Sequence, residues 1–189
     1  MSASRTTKRS SGPLRVGVLG QGRSGLSIHS QWFEQSPRKY NIVAVADLLG
    51  DRRRHAEERF SCDTYRDYRD LLARDDLDLV VNSLPSHLHP PVTIEALEAG
   101  HNVVCEKPNA WNVAQLDKMI AAAKKARRVL APFQQSRHRA LFRKTLAVIE
   151  SGVLGRIVQV RICANGFARR WDWQTLQEFK GGNLLNTGP

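Results

Sequence analysis

Short apolar runs alternate along the chain with longer stretches in which apolar residues recur every three or four positions. The short runs predict buried strands at residues 14–19, 41–46, 77–81, 102–105 and 129–133. The longer stretches predict helices at residues 24–35, 51–60, 68–72, 90–100, 112–123 and 141–152. Strands that are apolar throughout and alternate with helices are typical of a parallel sheet covered on both faces. The predicted fold class is therefore α/β, with a doubly wound parallel sheet.

The pattern changes after Gly155. Val158, Val160 and Ile162 alternate with polar residues, which is the period of a half-exposed strand and predicts that an α+β domain begins there. Only about 35 residues follow, too few for a core of their own. The expected organisation is a flexible tail at 1–13, an α/β domain at 14–135, and a linking helix with the incomplete beginning of a second domain at 136–189.

Composition excludes several classes of protein. Hydrophobic residues make up 41% of the 189 residues and charged residues 25%, which is enough for a packed core. No apolar run approaches the roughly 20 residues that span a bilayer, so we expect no membrane segment. The three cysteines, Cys62, Cys105 and Cys163, form no C-x-x-C pair. We therefore expect no disulfide framework, no metal site and a cytoplasmic location.

The net charge of +11 raises the question of nucleic acid. Much of the excess lies between Lys124 and Lys144, which includes no acidic residue. No zinc-finger spacing, homeodomain-like pattern or aromatic ribonucleoprotein motif accompanies it, so the sequence favours a solvated helix face over a nucleic-acid site.

A glycine-rich motif joins the first predicted strand to the first predicted helix. The run Gly20-Gln21-Gly22-Arg23-Ser24-Gly25 fits G-x-G-x-x-G in the strand–turn–helix context of a dinucleotide-binding Rossmann domain. The first glycine permits the tight turn, the second lets the backbone approach a diphosphate, and the third allows close helix–strand packing. The free N–H groups at the helix start would meet the phosphates.

An acidic residue follows the second predicted strand. Asp47 lies about 22 residues after the third glycine, where a carboxylate would accept the ribose hydroxyls of NAD and repel the 2′-phosphate of NADP. Arg52, Arg53 and Arg54 come soon afterwards and could bind that phosphate, although a solvent-facing helix turn is the other interpretation. The expected cofactor is NAD, with NADP possible.

Two further loops should face the same cofactor, because ligands of open α/β sheets bind beyond the carboxyl ends of the strands. At these loops the sequence resembles the Gfo/Idh/MocA oxidoreductases, named for glucose–fructose oxidoreductase and inositol dehydrogenase. Besides the glycine motif, the matching residues are Pro85 with His89, the run 94–100, Val103-Val104-Cys105-Glu106-Lys107-Pro108, Ser151-Gly152-x-x-Gly155, and the run 181–188. The resemblance covers residues 14 to 189.

The resemblance implies an NAD(P)-dependent oxidoreductase that acts on sugars, polyols or related secondary alcohols. It places Lys107 beside the nicotinamide and the substrate hydroxyl as the catalytic residue, where a cation would stabilise a developing alkoxide. Glu106 would contact the cofactor ribose or hold Lys107; a surface ion pair in a turn is the other interpretation. The remaining cofactor contacts would come from Leu84, Pro85, His89 and Gln134. Other histidines are expected at the surface, His87 in a loop and His29 and His138 on helices.

Substrate contacts are expected from Lys107, Arg137, Trp173 and Asn186. Arg137 could bind an anionic substrate group or simply be solvated. Trp171 and Trp173 could form a sugar-stacking wall, or serve core packing or a subunit interface. The motif around Asn186 departs from the family, which usually has Asp-x-Gly-x-His, because asparagine replaces the aspartate and the sequence stops one residue before the histidine position.

The sequence leaves three functions open. The first is the NAD(P)-dependent oxidoreductase, a homo-oligomer in its full-length form. The second is a non-catalytic NAD-binding module, which Asn186 and the incomplete second domain favour. The third, a nucleic-acid-associated protein that uses the basic stretch, is the least favoured.

Overall fold

The computed structural model describes residues 12–163, 166–167 and 169–188 of the chain. The predicted tail at 1–13 lies outside these residues except for Gly12 and Pro13, which are exposed.

Six parallel strands form one sheet in the order β3-β2-β1-β4-β5-β6. The strands are β1 (Leu14–Leu19), β2 (Tyr40–Ala46), β3 (Asp63–Tyr65), β4 (Leu79–Asn82), β5 (Val103–Cys105) and β6 (Leu130–Pro132). This is the strand order of the Rossmann fold. Strands β2 and β3 are added to one side of β1, and the chain then crosses to the other side of β1 to add β4, β5 and β6. The predicted α/β class and doubly wound topology are confirmed.

Helices between the strands cover both faces of the sheet, and two more helices follow the last strand. In chain order they are α1 (Gln31–Glu34), α2 (Gly50–Phe60), α3 (Tyr68–Leu72), α4 (His89–Glu98), α5 (Val113–Ala126), α6 (Ala140–Glu150) and α7 (Asn183–Thr187). Short 3₁₀ turns lie at Ser86–Leu88, Gln135–His138, Trp173–Thr175 and Gln177–Phe179. No helix in the described part of the chain is long and apolar enough to cross a membrane.

The core has two halves, one on each face of the sheet. On one face, Val16 and Val18 of β1 pack with Phe33 of α1 and Ala56 of α2. On the other face, the sheet packs against side chains of α3, α4 and α5, among them Leu71, Leu97 and Ala122. Because both faces are covered, the strands carry apolar residues at consecutive positions rather than alternating ones.

The structure differs from the sequence prediction in three elements. The helix expected at 24–35 contains a π-helical segment, Gly25–Ser30, before α1 begins. Strand β3 was not predicted, since Asp63-Thr64-Tyr65 is short and polar and becomes a strand only by pairing with β2. The strand expected around Val158, Val160 and Ile162 is wrong, because residues 157–163 carry no regular secondary structure and are exposed.

Candidate functional site

The glycine-rich turn leaves β1 at the carboxyl edge of the sheet. Gly20 has a φ of +86°, a conformation that glycine adopts without steric cost. A Cβ added to Gly25 would lie 1.8 Å from the carbonyl oxygen of Gly20. The hydroxyl of Ser83, which follows β4, lies 2.8 Å from the carbonyl oxygens of Leu19 and Gly20 and fixes the turn from the other side. The third glycine therefore serves close packing, as predicted.

Asp47 ends β2 and holds two loops together. Its Oδ2 accepts a hydrogen bond of 2.8 Å from the N–H of Gln21, and its Oδ1 accepts one of 2.9 Å from the N–H of Leu49. The guanidinium of Arg52 lies 3.3 Å from Oδ2. The carboxylate is buried yet lines the crevice described below, so it combines a structural role with access to a ligand.

The loop after β4 is braced by His89. The Nδ1 of His89 lies 2.6 Å from the carbonyl oxygen of Pro108, and its Nε2 lies 2.8 Å from that of Leu84. Burial lowers the pKa of His89, and the two carbonyl oxygens oppose this shift. The imidazole thus lies between the Leu84–Pro85 loop and the loop that carries Lys107, and a protonated ring nitrogen donates to the carbonyl oxygen that it faces.

Lys107 lies at the end of β5 with its ammonium group in the crevice. Its Nζ donates hydrogen bonds to the backbone oxygen of Asn186, at 2.5 Å, and to Oδ1 of Asn186, at 3.1 Å. Burial lowers the pKa of Lys107, the carboxylate of Glu106 opposes this, and the cations Arg23 and Arg170 lower it further. A lysine with a lowered pKa can both donate a hydrogen bond and exchange a proton with a ligand oxygen.

The carboxylate of Glu106 is bound by a backbone N–H and by a buried histidine. Its Oε2 accepts a hydrogen bond of 3.1 Å from the backbone N–H of Lys107, and its Oε1 lies 3.0 Å from Nε2 of His29. His29 is buried, so its expected place on a helix surface is wrong. The spacing of four residues between His29 and the buried Phe33 places both on one helix face, and this was the signal available in the sequence.

Residues 170–188 contribute the opposite wall of the crevice. Arg170 binds Asp172 and lowers the pKa of its carboxyl group. Trp173 is half-buried and lines the crevice, whereas Trp171 is 83% exposed, so the two tryptophans do not form the wall that the sequence suggested. His87, expected as a solvent-exposed loop residue, is half-buried with its ring centroid 4.9 Å from that of Phe179.

These parts enclose a crevice of about 580 Å³ at the carboxyl edge of the sheet, within the range of roughly 300–1,000 Å³ that is typical of ligand sites. Twelve of the predicted site residues line it: Gly20, Gly22, Arg23, Ser24, Asp47, Leu84, Pro85, His89, Glu106, Lys107, Trp173 and Asn186. Residues Ser83, His87, Arg170, Asp172 and Phe179 also line it and were not predicted.

Four predicted site residues lie outside the lining. Gln21 and Gly25 are buried in the turn itself. Gln134 lines a neighbouring recess that it shares with Lys107 and Phe133. Arg137 is exposed on the 3₁₀ turn after β6, and its role in substrate binding stays a prediction.

The crevice fits a dinucleotide. A Cβ added to Gly22 would meet only the flexible guanidinium end of Arg52, at 3.7 Å, so the space over the second glycine is open. The first N–H groups of a helix lack partners within the helix and favour an anion there. Among the described residues, no three His, Cys, Asp or Glu side chains are grouped as metal ligands.

Comparison with known proteins assigns the chain to a family. The sequence profile of the Gfo/Idh/MocA group, described as an oxidoreductase family with an NAD-binding Rossmann fold, matches residues 14–134. The chain belongs to the Gfo/Idh/MocA family. The resemblance inferred from the sequence motifs is therefore confirmed.

Relatives of this Gfo/Idh/MocA chain include an inositol dehydrogenase and a nucleotide-sugar reductase. It is 30% identical over 150 residues to myo-inositol 2-dehydrogenase of Thermotoga maritima. The aligned region covers 79% of this chain and 44% of the relative. The chain is also 30% identical over 180 residues to the dTDP-3,4-didehydro-2,6-dideoxy-alpha-D-glucose 3-reductase of Actinomadura kijaniata, covering 93% of the chain and 53% of the relative. The chain spans about half the length of these relatives.

Solved structures show the same fold. The WlbA dehydrogenase of Bordetella pertussis, in complex with NADH and UDP-GlcNAcA, matches with a TM-score of 0.73 at 29% identity, covering 78% of this chain and 42% of that one. An NAD-binding protein from Listeria innocua matches with a TM-score of 0.81 at 28% identity. This match covers 93% of this chain and 51% of that one.

Proposed function

We propose that this Gfo/Idh/MocA chain carries the cofactor-binding half of an NAD(P)-dependent oxidoreductase that transfers a hydride between nicotinamide and a secondary alcohol carbon of a sugar, polyol or related substrate. The observation that carries the proposal is the position of Lys107, whose ammonium group lies in the same crevice as the glycine-rich turn. The inositol dehydrogenase and the nucleotide-sugar enzymes among the relatives support the substrate class.

We assign different roles to the glycine-rich turn and to Lys107. Gly20, Gly22 and the start of the helix that follows form the seat for the diphosphate. When bound, the nicotinamide supplies the hydride acceptor or donor. Lys107 donates a hydrogen bond to the reacting oxygen in place of one of the two that it now gives to Asn186, and so stabilises negative charge on that oxygen.

Asp47 supports a preference for NAD. Its buried carboxylate faces the crevice where a ribose would be bound, and it would repel a 2′-phosphate. Arg52 is already paired with this carboxylate and is therefore not free to bind such a phosphate.

Lys107→Ala tests the role of the lysine, with the exposed Lys118→Ala as matched control. Binding of NADH is followed by quenching of tryptophan fluorescence, since Trp173 lines the crevice. Turnover is followed by nicotinamide absorbance over a panel of sugars and inositols. We expect K107A to lower kcat about 100-fold or more, because it removes stabilisation of the developing alkoxide, and to leave the NADH affinity unchanged.

The control variant K118A should match the wild type in both assays. Wild-type turnover in K107A would remove Lys107 from the mechanism, and a folded chain that binds neither NADH nor NADPH would contradict the proposed function.

A non-catalytic NAD-binding module is the second candidate. It is favoured by the contact between Lys107 and both oxygens of Asn186, which occupies the lysine that a substrate would need. NADH binding without turnover over the whole panel would support this candidate, whereas turnover of any sugar or polyol would exclude it.

We further propose a cytoplasmic, homo-oligomeric protein. Free thiols support a reducing compartment, since Cys62 and Cys105 are buried without a disulfide. Exposed apolar side chains on and after α6, such as Leu141 and Val158, support assembly. The third thiol, that of Cys163, is exposed. Light scattering coupled to gel filtration gives the assembly state.

A further inference from the structure

Two ionisable side chains meet in the interior behind the crevice. His29 lies in the helical segment after β1, Glu106 directly follows β5, and Nε2 of His29 lies 3.0 Å from Oε1 of Glu106. Both residues are 4% exposed. A charged group is rarely placed so deep without a partner, because leaving it unpaired is costly.

The surroundings leave the histidine little freedom. Its ring centroid lies 4.4 Å from that of Phe133, which follows β6, and 6.3 Å from that of Phe33 in α1. The π-helical segment that carries it, Gly25–Ser30, begins at the third glycine of the turn. Such segments are frequent at functional sites because the extra residue in the turn re-aims a side chain.

The carboxylate connects this pair to the lysine. One oxygen of Glu106 faces His29, and the other accepts a hydrogen bond from the backbone N–H of Lys107. Because both oxygens have partners, the carboxylate is held in one position. The charged groups that act on Lys107 are this carboxylate and the cations Arg23 and Arg170, of which Arg170 is paired with Asp172. Glu106 is the member of this set that favours the ammonium form of Lys107.

We propose that His29 is a positioning residue for the reaction: by binding Oε1 of Glu106 it holds in place the carboxylate whose other oxygen binds the backbone N–H of Lys107, and so keeps that carboxylate where it acts on the lysine proposed to face the substrate. The proposal rests on the proposed function, because it assigns His29 an effect on the residue proposed to contact the substrate.

The consequence of losing His29 follows from burial. Without its partner, the buried Oε1 of Glu106 is unsatisfied, which favours a rotation of the carboxylate away from this position. Lys107 then lacks the charge that opposes its desolvation, and the pH at which it loses its proton falls. Glutamine in place of His29 still offers an amide donor, whereas phenylalanine fills the space without one.

The experiment is a pH titration of Lys107 in the full chain without cofactor. The lysines are ¹³C-dimethylated, their methyl signals are followed by NMR, and the Lys107 signal is assigned by its loss in K107R. The variants are His29→Phe, His29→Gln and Glu106→Gln, with the exposed His138→Gln as control. Thermal unfolding of each variant reports any purely structural effect.

We expect the Lys107 midpoint to move to lower pH in H29F and E106Q and to stay at the wild-type pH in H29Q and H138Q. The double variant H29F/E106Q should titrate like E106Q alone. A wild-type midpoint in E106Q or in H29F, or a shifted midpoint in H29Q, overturns the proposal. If H29F does not fold, His29→Leu, which also lacks a donor, takes its place and should show the same shift.

Failure of the proposed function has a different signature. Because the titration needs no cofactor, the expected shifts together with absent NADH binding would contradict the oxidoreductase and leave the coupling of His29 to Lys107 standing. NADH binding together with an unshifted Lys107 midpoint in every variant would contradict the coupling of His29 to Lys107 and leave the proposed oxidoreductase standing.

Discussion

Gly22 and Gly25 are three residues apart in the same turn, and the structure gives them different physical roles. A methyl group at Gly25 would overlap the backbone oxygen of Gly20 and approach the hydroxyl of Ser83 to 2.7 Å. A methyl group at Gly22 would meet nothing but the end of a flexible arginine. The third glycine is therefore required by the fold, whereas the second leaves space for the diphosphate that we propose binds there.

Alanine substitution separates these roles. Gly25→Ala should lower the free energy of unfolding by about 2–4 kcal/mol, because backbone must move to admit the methyl group. Gly22→Ala should leave the free energy of unfolding within about 0.5 kcal/mol of wild type, yet weaken NADH binding about tenfold or more, which is about 1.4 kcal/mol of binding free energy. Urea unfolding and fluorescence titration measure the two quantities.

The control for both glycine variants is Gly166→Ala, since no atom lies within 4 Å of a Cβ at that exposed position. It should match the wild type in stability and affinity. Full NADH affinity in G22A would contradict the placement of the diphosphate over the second glycine.

Asp47→Asn is expected to change the choice between the two dinucleotides. The substitution removes the charge that would repel a 2′-phosphate and releases Arg52 from its present partner. The ratio of NADPH to NADH affinity should rise about tenfold or more, which is about 1.4 kcal/mol. Parallel titrations with the two reduced cofactors measure this ratio.

A matched control is Asp51→Asn, which removes a carboxylate that pairs with Arg54 on the exposed side of α2. Its affinity ratio should equal that of the wild type. An unchanged ratio in D47N would show that Asp47 serves only to hold the loops at Gln21 and Leu49.

The sequence was sufficient to predict that residues directly after strands would lie in the crevice. Asp47, Glu106 and Lys107 each follow a strand, and parallel strands bring such residues to one edge. The sequence did not indicate His29 as the partner of Glu106, because the two residues are 77 positions apart in the sequence. Contacts of this kind exist only in the folded chain.

At the scale of elements, α5 begins where the sequence indicated. Oδ1 of Asn112 accepts a hydrogen bond of 2.9 Å from the N–H of Gln115, which satisfies one of the free donors of the first turn. The helix then covers the sheet with Met119, Ala122 and Ala123.

Removal of this cap should weaken the domain. Asn112→Ala is expected to lower the free energy of unfolding by about 1 kcal/mol, the usual cost of a lost N-cap, while NADH affinity per folded molecule is unchanged. Urea unfolding is the measurement, and Asn41→Ala, at an exposed position of β2, is the control. Equal stability of N112A and N41A would mean that the cap does not stabilise α5.

The sequence predicted strands whose residues are buried, but not a strand that forms only because a neighbouring strand pairs with it. Apolar runs identified β1, β4 and β5, since their residues are buried on both faces. The polar β3 exists because β2 offers it a partner. Residues 157–162 show the opposite case: their alternation fits a strand, but no strand among the described residues pairs with them, and an unpaired strand leaves its backbone groups unsatisfied.

At the scale of the whole molecule, burial is concentrated in the Rossmann domain. The buried hydrophobic residues of the described chain lie between Val16 and Ala123, and α6 has none. Segments with few buried contacts open at low free-energy cost. The domain should therefore be the stable unit, and residues beyond it should depend on further contacts.

Limited trypsin digestion tests this division. Of the bonds within residues 12–163, those after Arg156 and Arg161 should be cut first, because both residues are exposed in backbone without regular secondary structure. Arg52 in α2 and Lys118 in α5 are exposed but held in helices, and serve as internal controls. Mass spectrometry of early fragments identifies the sites, and a first cut within 14–134 would contradict the division.

The central claim is that one dinucleotide lies across the carboxyl edge of the sheet, from the glycine-rich turn to Lys107. A crystal structure of the chain grown with NADH measures this most directly. We predict the diphosphate over Gly20–Gly25, the adenosine ribose beside Asp47, and the nicotinamide within reach of the Lys107 ammonium group. Density for NADH elsewhere, or a Lys107 side chain turned out of the crevice in the complex, would contradict the account.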